Sequence, residues 1–151
     1  MQPVIVKKDA LFITGVTGDG SKTGEVWGDF ESRYNSKPFP KIDEWGYEIR
    51  FWDAEKPVPK GMDIHVGFTT DAAIDVDGFV TIELPAAEYA VFDVCVANGY
   101  DSGNAAMDKW LADNAMQYKT MTLDGIGYVV EVYNEKFSNS VVEFWIPICR
   151  V

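Results

Sequence analysis

Positive charge is scarce in this sequence. Arginine occurs only as Arg33, Arg50 and Arg150, and 13 Lys plus Arg face 24 Asp plus Glu, for a net charge of −11. A duplex-binding surface needs clustered cations that release counter-ions from phosphates, so direct nucleic-acid binding is not expected. The same field favours encounter with cations. Histidine occurs once, as His65, and cysteine twice, as Cys95 and Cys149, without a Cys-x-x-Cys pair. The usual donor sets for a metal centre are therefore missing, and neither a metal nor a cofactor is expected. The two cysteines read as reduced thiols of a cytoplasmic protein rather than as a disulfide. Residues 1–10 hold Lys7 and Lys8 and no signal-type apolar stretch. No apolar run approaches the ~20 residues needed to cross a membrane.

What remains is ordinary globular material. A chain of 151 residues, 47% hydrophobic and 25% charged, is one domain able to bury a core without staples. Residues 11–16 read as a strand closed by the glycine-rich stretch Gly15 to Gly24. From Thr23 to Tyr34, Val26, Trp27, Phe30 and Tyr34 fall on one helical face. Pro38 and Pro40 follow and stop that helix. Strands are expected at 45–52 and 63–69, beyond the Pro57 and Pro59 loop, and at 79–84 and 88–94, split by Pro85. Ala106, Met107, Trp110, Leu111 and Ala115 form the apolar face of a second helix. Strands at 127–133 and 141–149 close the chain.

This order repeats. Gly46-Tyr47-Glu48-Ile49-Arg50-Phe51-Trp52 aligns with Gly127-Tyr128-Val129-Val130-Glu131-Val132-Tyr133. Each stretch is preceded by an amphipathic helix carrying a tryptophan, Trp27 or Trp110, and followed by another strand. The expectation is a duplicated β-α-β-β unit related by a pseudo-twofold axis, one half about 5–70 and the other about 78–151 of a single 1–151 domain. The fold class is α+β: curved antiparallel sheets, two main helices on one side, and a ligand cleft along the pseudo-dyad.

Strand alternation puts Gly127, Val129, Glu131 and Tyr133 on one face, and Tyr128, Val130 and Val132 on the other. The wholly apolar second set is the face expected beneath a helix, which would point Glu131 and Tyr133 away from the helices. Glu48, Arg50 and Trp52 occupy the equivalent face of the first half, and Glu143 and Trp145 share a face of the last strand. Acids and aromatics converging in this way compose a cation-accepting cleft. Arg50 is at odds with such a cleft unless an acid such as Glu48 neutralises it. Trp27, Phe30 and Trp110 fit a core as well as a cleft.

The motifs in order resemble the GyrI-like small-molecule-binding domain, which includes effector-binding modules of AraC-type and MerR-type multidrug-responsive regulators. Carrying the resemblance are Val26-Trp27 and Phe30, the strand Ile64-His65-Val66-Gly67-Phe68, and Leu84-Pro85-Ala86-Ala87-Glu88-Tyr89-Ala90-Val91-Phe92. Trp110, Glu131-Val132-Tyr133 and Trp145-Ile146-Pro147-Ile148 complete it. Ala87 departs from the glycine common in the family. The resemblance implies a module that binds lipophilic, often cationic, aromatic compounds, with Glu131 meeting the ligand charge and aromatics stacked around it. No helix-turn-helix segment is visible, so a stand-alone binder is expected, with a regulator or other protein partner left open. The resemblance also implies two alternatives: hydrolysis of reactive small molecules by Glu131 and Tyr133, and a gyrase-inhibitor-like protein interaction.

Other patterns weaken on inspection. Gly15 to Thr23 lacks the adjacent Gly-Lys-Ser/Thr of a phosphate cradle, because Ser21 separates Gly20 from Lys22. Asp75-Val76-Asp77-Gly78 is not a Ca²⁺ loop, since Ala73 and Leu84 stand at the first and last ligand positions. His65 has no nucleophile that the sequence places beside it and reads as structural.

Overall fold

Alternating and β-branched stretches become ten strands in the computed structural model, which describes residues 1–151: β1 (Val4–Lys8), β2 (Leu11–Gly18), β3 (Gly46–Trp52), β4 (Ile64–Thr70), β5 (Val80–Leu84), β6 (Ala87–Cys95), β7 (Tyr118–Thr120), β8 (Thr122–Leu123), β9 (Ile126–Tyr133) and β10 (Val141–Arg150). Two helices join them, α1 (Thr23–Ser36) and α2 (Asp101–Asp113). Asp19 caps the single 3-10 turn before α1 by accepting from the Ser21 N–H at 2.8 Å. The helix ends at Ser36, because Lys37 precedes a proline and is steered out of helical geometry. No helix is long and apolar enough to cross a membrane.

All strands pair antiparallel in one sheet, ordered β1-β6-β10-β9-β3-β4-β2-β5, with β7 beside the end of β10 and β8 in a hairpin with β9. At its centre β3 meets β9 with Gly46 opposite Tyr133, Ile49 opposite Val130 and Trp52 opposite Gly127. The residues that align between the two halves are thus interchanged across the seam, which puts the pseudo-twofold axis through the Ile49–Val130 pair. The outer strands are exchanged: β1 pairs with β6 of the second half, and β5 with β2 of the first.

Three cores follow from this layout. Phe30 of α1 packs with Val16, Phe39, Ile64 and Val66. Met107 and Trp110 of α2 pack with Phe92, Val94, Val142 and Phe144. The third is a correction to the sequence expectation. Tyr128, Val130 and Val132 are covered by no helix; they pack with Ile13, Tyr47, Ile49, Leu84, Tyr89 and Trp145 on the inner face, where the sheet curls upon itself. The opposite face, with Glu131 and Tyr133, is the helix side. A fully apolar strand face signals burial, but it does not say whether a helix or the sheet itself provides the cover.

Strands β2 and β4 approach each other closely where Gly15 faces Gly67. A Cβ on Gly15 would lie 1.7 Å from the Val66 carbonyl oxygen, and one on Gly67 2.0 Å from that of Thr14. The imidazole of His65 spans this gap, with Nδ1 2.9 Å from Thr17 Oγ1 and Nε2 2.8 Å from the Ile13 carbonyl. A carbonyl only accepts, so Nε2 carries the proton and Nδ1 accepts from the Thr17 hydroxyl. Burial lowers the His65 pKa to about 4 and keeps the ring neutral. Gly15→Ala is expected to lower the unfolding free energy by about 3 kcal/mol in urea denaturation, since backbone and not a rotamer must yield. Gly28→Ala in α1, where a Cβ meets nothing within 4 Å, is expected to raise it by about 1 kcal/mol.

Candidate functional site

The two helices leave the β3–β9 seam uncovered between them, and their N-termini, at Thr23 and Tyr100, both border the gap. The register sets Glu48 directly opposite Glu131. Both are buried, with side chains 1% and 6% exposed. Two carboxylates side by side out of water repel, so each oxygen needs a partner. Glu48 Oε1 accepts from Trp27 Nε1 at 2.8 Å, and its Oε2 accepts from Arg50 Nε at 2.9 Å. Glu131 Oε1 accepts from the Tyr133 hydroxyl at 3.0 Å, and its Oε2 lies 3.3 Å from Arg50 Nε. Arg50 Nη2 also donates to Thr23 Oγ1 at 3.0 Å, and the Tyr100 and Tyr133 hydroxyls sit 3.1 Å apart.

Above this pair the cleft has two lobes sharing Thr23, Glu48, Tyr100 and Tyr133. One, about 460 Å³, is aromatic, walled by Trp27, Phe68, Tyr100, Tyr133 and Phe137, with Glu31 at its rim. The other, about 410 Å³, is polar and holds Arg50, Asn104 and Glu131. Gly46 makes the first lobe possible: a Cβ there would sit 3.0 Å from the Trp27 ring. Trp27 stands edge-on to Tyr133 at 6.1 Å, and Tyr133 edge-on to Phe137 at 5.0 Å.

The structure brings together Trp27, Glu48, Glu131 and Tyr133 from the sequence-derived set. Trp52 shares their face but lies over Gly127 at the far end of the seam. Phe30 is wholly buried against Phe68 and Phe79, and Trp110 is buried between Phe92 and Tyr118. Trp145 is on the other side of the sheet, packed on Tyr47 and Tyr89. Its Nε1 donates to Glu143, and both border a separate groove of about 520 Å³ with Lys8 and Trp45. The shared face of Glu143 and Trp145 is therefore not the face of Glu131, because the residues opposite Glu131 and Val130 in the β9–β10 register are Phe144 and Trp145. Thr23, Phe68, Tyr100, Asn104 and Phe137 were not anticipated. Phe137 and Tyr100 lie in turns, where strand and helix periods carry no information.

Residues 4–148 match the model of the family described as integron-associated effector binding protein. The chain belongs to this family. No curated protein matches it in sequence. Among solved structures, the chain is similar to the C-terminal domain of EcmrR, with a TM-score of 0.67 at 12% identity, covering 99% of this chain and 98% of that one. It is also similar to EcmrR in an EcmrR–DNA complex (TM-score 0.70, 11% identity), where 99% of this chain covers 58% of that one. A third similar structure is SAV2435 bound to tetraphenylphosphonium, at TM-score 0.60 and 16% identity, covering 99% of this chain and 94% of that one. At these identities the likeness is one of fold: the effector-binding fold of the GyrI-like type, with two helices over a curled antiparallel sheet.

Burial first, and the charge of Glu48 second, raise the Glu131 pKa from 4.5 to about 7, against the pull of Arg50 and the Tyr133 hydroxyl. Burial and the two carboxylates push the Tyr133 hydroxyl up as well, so it stays a donor. Between about pH 4.5 and 7 the folded chain holds a proton on Glu131 that the unfolded chain has released. The stability from this group is present below pH 4.5 and lost as pH rises through 7. His65 acts in the opposite sense, its contribution being lost as pH falls from 6.5 toward 4. Comparison of Glu131→Gln with wild type cancels the histidine. The melting temperature of the variant relative to wild type should rise between about pH 5 and about pH 8, corresponding to roughly 2–3 kcal/mol; a difference independent of pH would refute the assignment.

Proposed function

We propose that the cleft between α1 and α2 binds lipophilic, cationic aromatic small molecules, and that the protein is a drug-binding module that senses or sequesters them. The observation that carries this reading is a buried acid pair that is short of charge. Trp27, Arg50 and Tyr133 supply a partner to every carboxylate oxygen, yet two carboxylates face one guanidinium. What the site lacks is a second positive charge, and the adjoining lobe of aromatic rings suits the apolar body of an organic cation. Cation–π contacts contribute about 0.5–2 kcal/mol each and gain from exclusion of water. The similar structure SAV2435 was solved with tetraphenylphosphonium, a cation of this class. Glu131, together with Glu48, is the charge-bearing centre of this reading, and Trp27 and Tyr133 are its stacking partners. The free thiols of Cys95 and Cys149 suit a cytoplasmic setting.

Trp27 provides the readout. Tetraphenylphosphonium should quench tryptophan fluorescence saturably in the micromolar range, and triphenylphosphine oxide serves as a neutral counterpart. Glu131→Gln and Glu48→Gln are each expected to weaken the cation about tenfold, equivalent to about 1.4 kcal/mol, and to leave the neutral compound nearly unaffected. Equal losses for both compounds would overturn the electrostatic role.

A further inference from the structure

The polar and charged groups that face the cleft come from the two central strands and the two helices. β3 supplies Glu48 and Arg50, and β9 supplies Glu131 and the Tyr133 hydroxyl. From α1 come Thr23 and the exposed Glu31, and from α2 and its cap come Asn104 and Tyr100. Arg50 is the one cation among them. Its side chain is 36% exposed above carboxylates that are almost wholly buried, so the guanidinium lies between the acid pair and water. Strand β3 fixes its Cα, and Thr23 at the start of α1 holds its outer nitrogen. Arg50 therefore cancels one of the two carboxylates permanently and leaves the other for a ligand. It also lines the polar lobe, so a second positive charge on a ligand that reached past the aromatic lobe would meet a guanidinium.

We propose that Arg50 is a specificity-determining residue that sets the valence of the cleft at one, admitting monocations and disfavouring dications of the same shape. The inference rests on the cation-binding reading above and adds to it the charge of the ligand. Loss of Arg50 would leave two buried carboxylates, which take up a proton at neutral pH and bear two charges at higher pH.

The test uses methylphenylpyridinium, a monocation, and dimethylbipyridinium, a dication of nearly the same size. Wild type should bind the monocation about tenfold more tightly than the dication. Arg50→Gln should shift that ratio toward the dication by about tenfold at about pH 9, with a smaller shift near pH 7 where the bare pair is protonated. Arg50→Lys, which keeps the charge, should keep the wild-type ratio. The proposal is overturned if wild type binds the dication as tightly as the monocation, a comparison that needs no variant to fold. It is equally overturned if the Gln and Lys variants change the ratio alike. Failure of both probes to bind wild type would instead bring down the cation-cleft reading, and this inference with it.

Discussion

Two like charges face each other across the central strand pair, and much of the surrounding structure can be read as a response to them. An antiparallel seam between equivalent strands of a duplicated unit brings the position before Ile49 opposite the position after Val130. In this chain both positions are glutamates. Isolated, either carboxylate would cost several kcal/mol to bury. Trp27 from α1, Arg50 from β3 and Tyr133 from β9 converge to lower that cost. They give every carboxylate oxygen a partner but bring charge enough for only one acid. Burial and the charge of Glu48 leave Glu131 poised near neutrality, and the proposed cation binding rests on that balance.

The fold leaves the cleft above this pair open. Because the sheet curls and buries its inner face against itself, the helices are not needed over the seam. α1 covers the first half and α2 the second, and the strip along the pseudo-dyad stays open between their N-termini. The glycine pair Gly15–Gly67, bridged by neutral His65, accommodates the close approach of β2 and β4 in the first half. A residue remote from the cleft thus helps decide that the cleft exists. Tyr100 and Phe137, from turns, then complete the aromatic wall.

Strand alternation and the internal repeat made the duplicated β-α-β-β order legible, because period-two patterning and a repeated Gly-Tyr-x-x-x-x-aromatic stretch survive in the chain itself. The face assignment within each strand was legible, but its direction was not. An apolar triplet such as Tyr128, Val130 and Val132 is equally consistent with a covering helix and with a sheet folded on itself, and only the curl decides. Trp145 lies on the far side of the sheet from Glu131 for a different reason, because the β9–β10 register sets it opposite Val130. Phe30 and Trp110 belong to helix cores, as their spacing equally allowed. Arg50, which sits awkwardly in a cation-binding cleft when read in sequence, becomes intelligible once Glu48 and Glu131 are seen to share it. β1, β7 and β8 were missed: β7 and β8 carry too few residues to show a period, and the Val-Ile-Val-Lys-Lys of β1 does not alternate.

The central claim is that the acid pair supplies the charge that meets a ligand. If so, a bound cation must favour ionised Glu131 and expel the proton it holds near neutrality. Calorimetric titration with tetraphenylphosphonium near pH 7, in two buffers of different ionisation enthalpy, measures this release directly. The account predicts on the order of half a proton released per cation bound, falling toward zero above about pH 9. Binding with the same heat in both buffers near pH 7 would contradict it, because the cation would then be held by groups other than this pair.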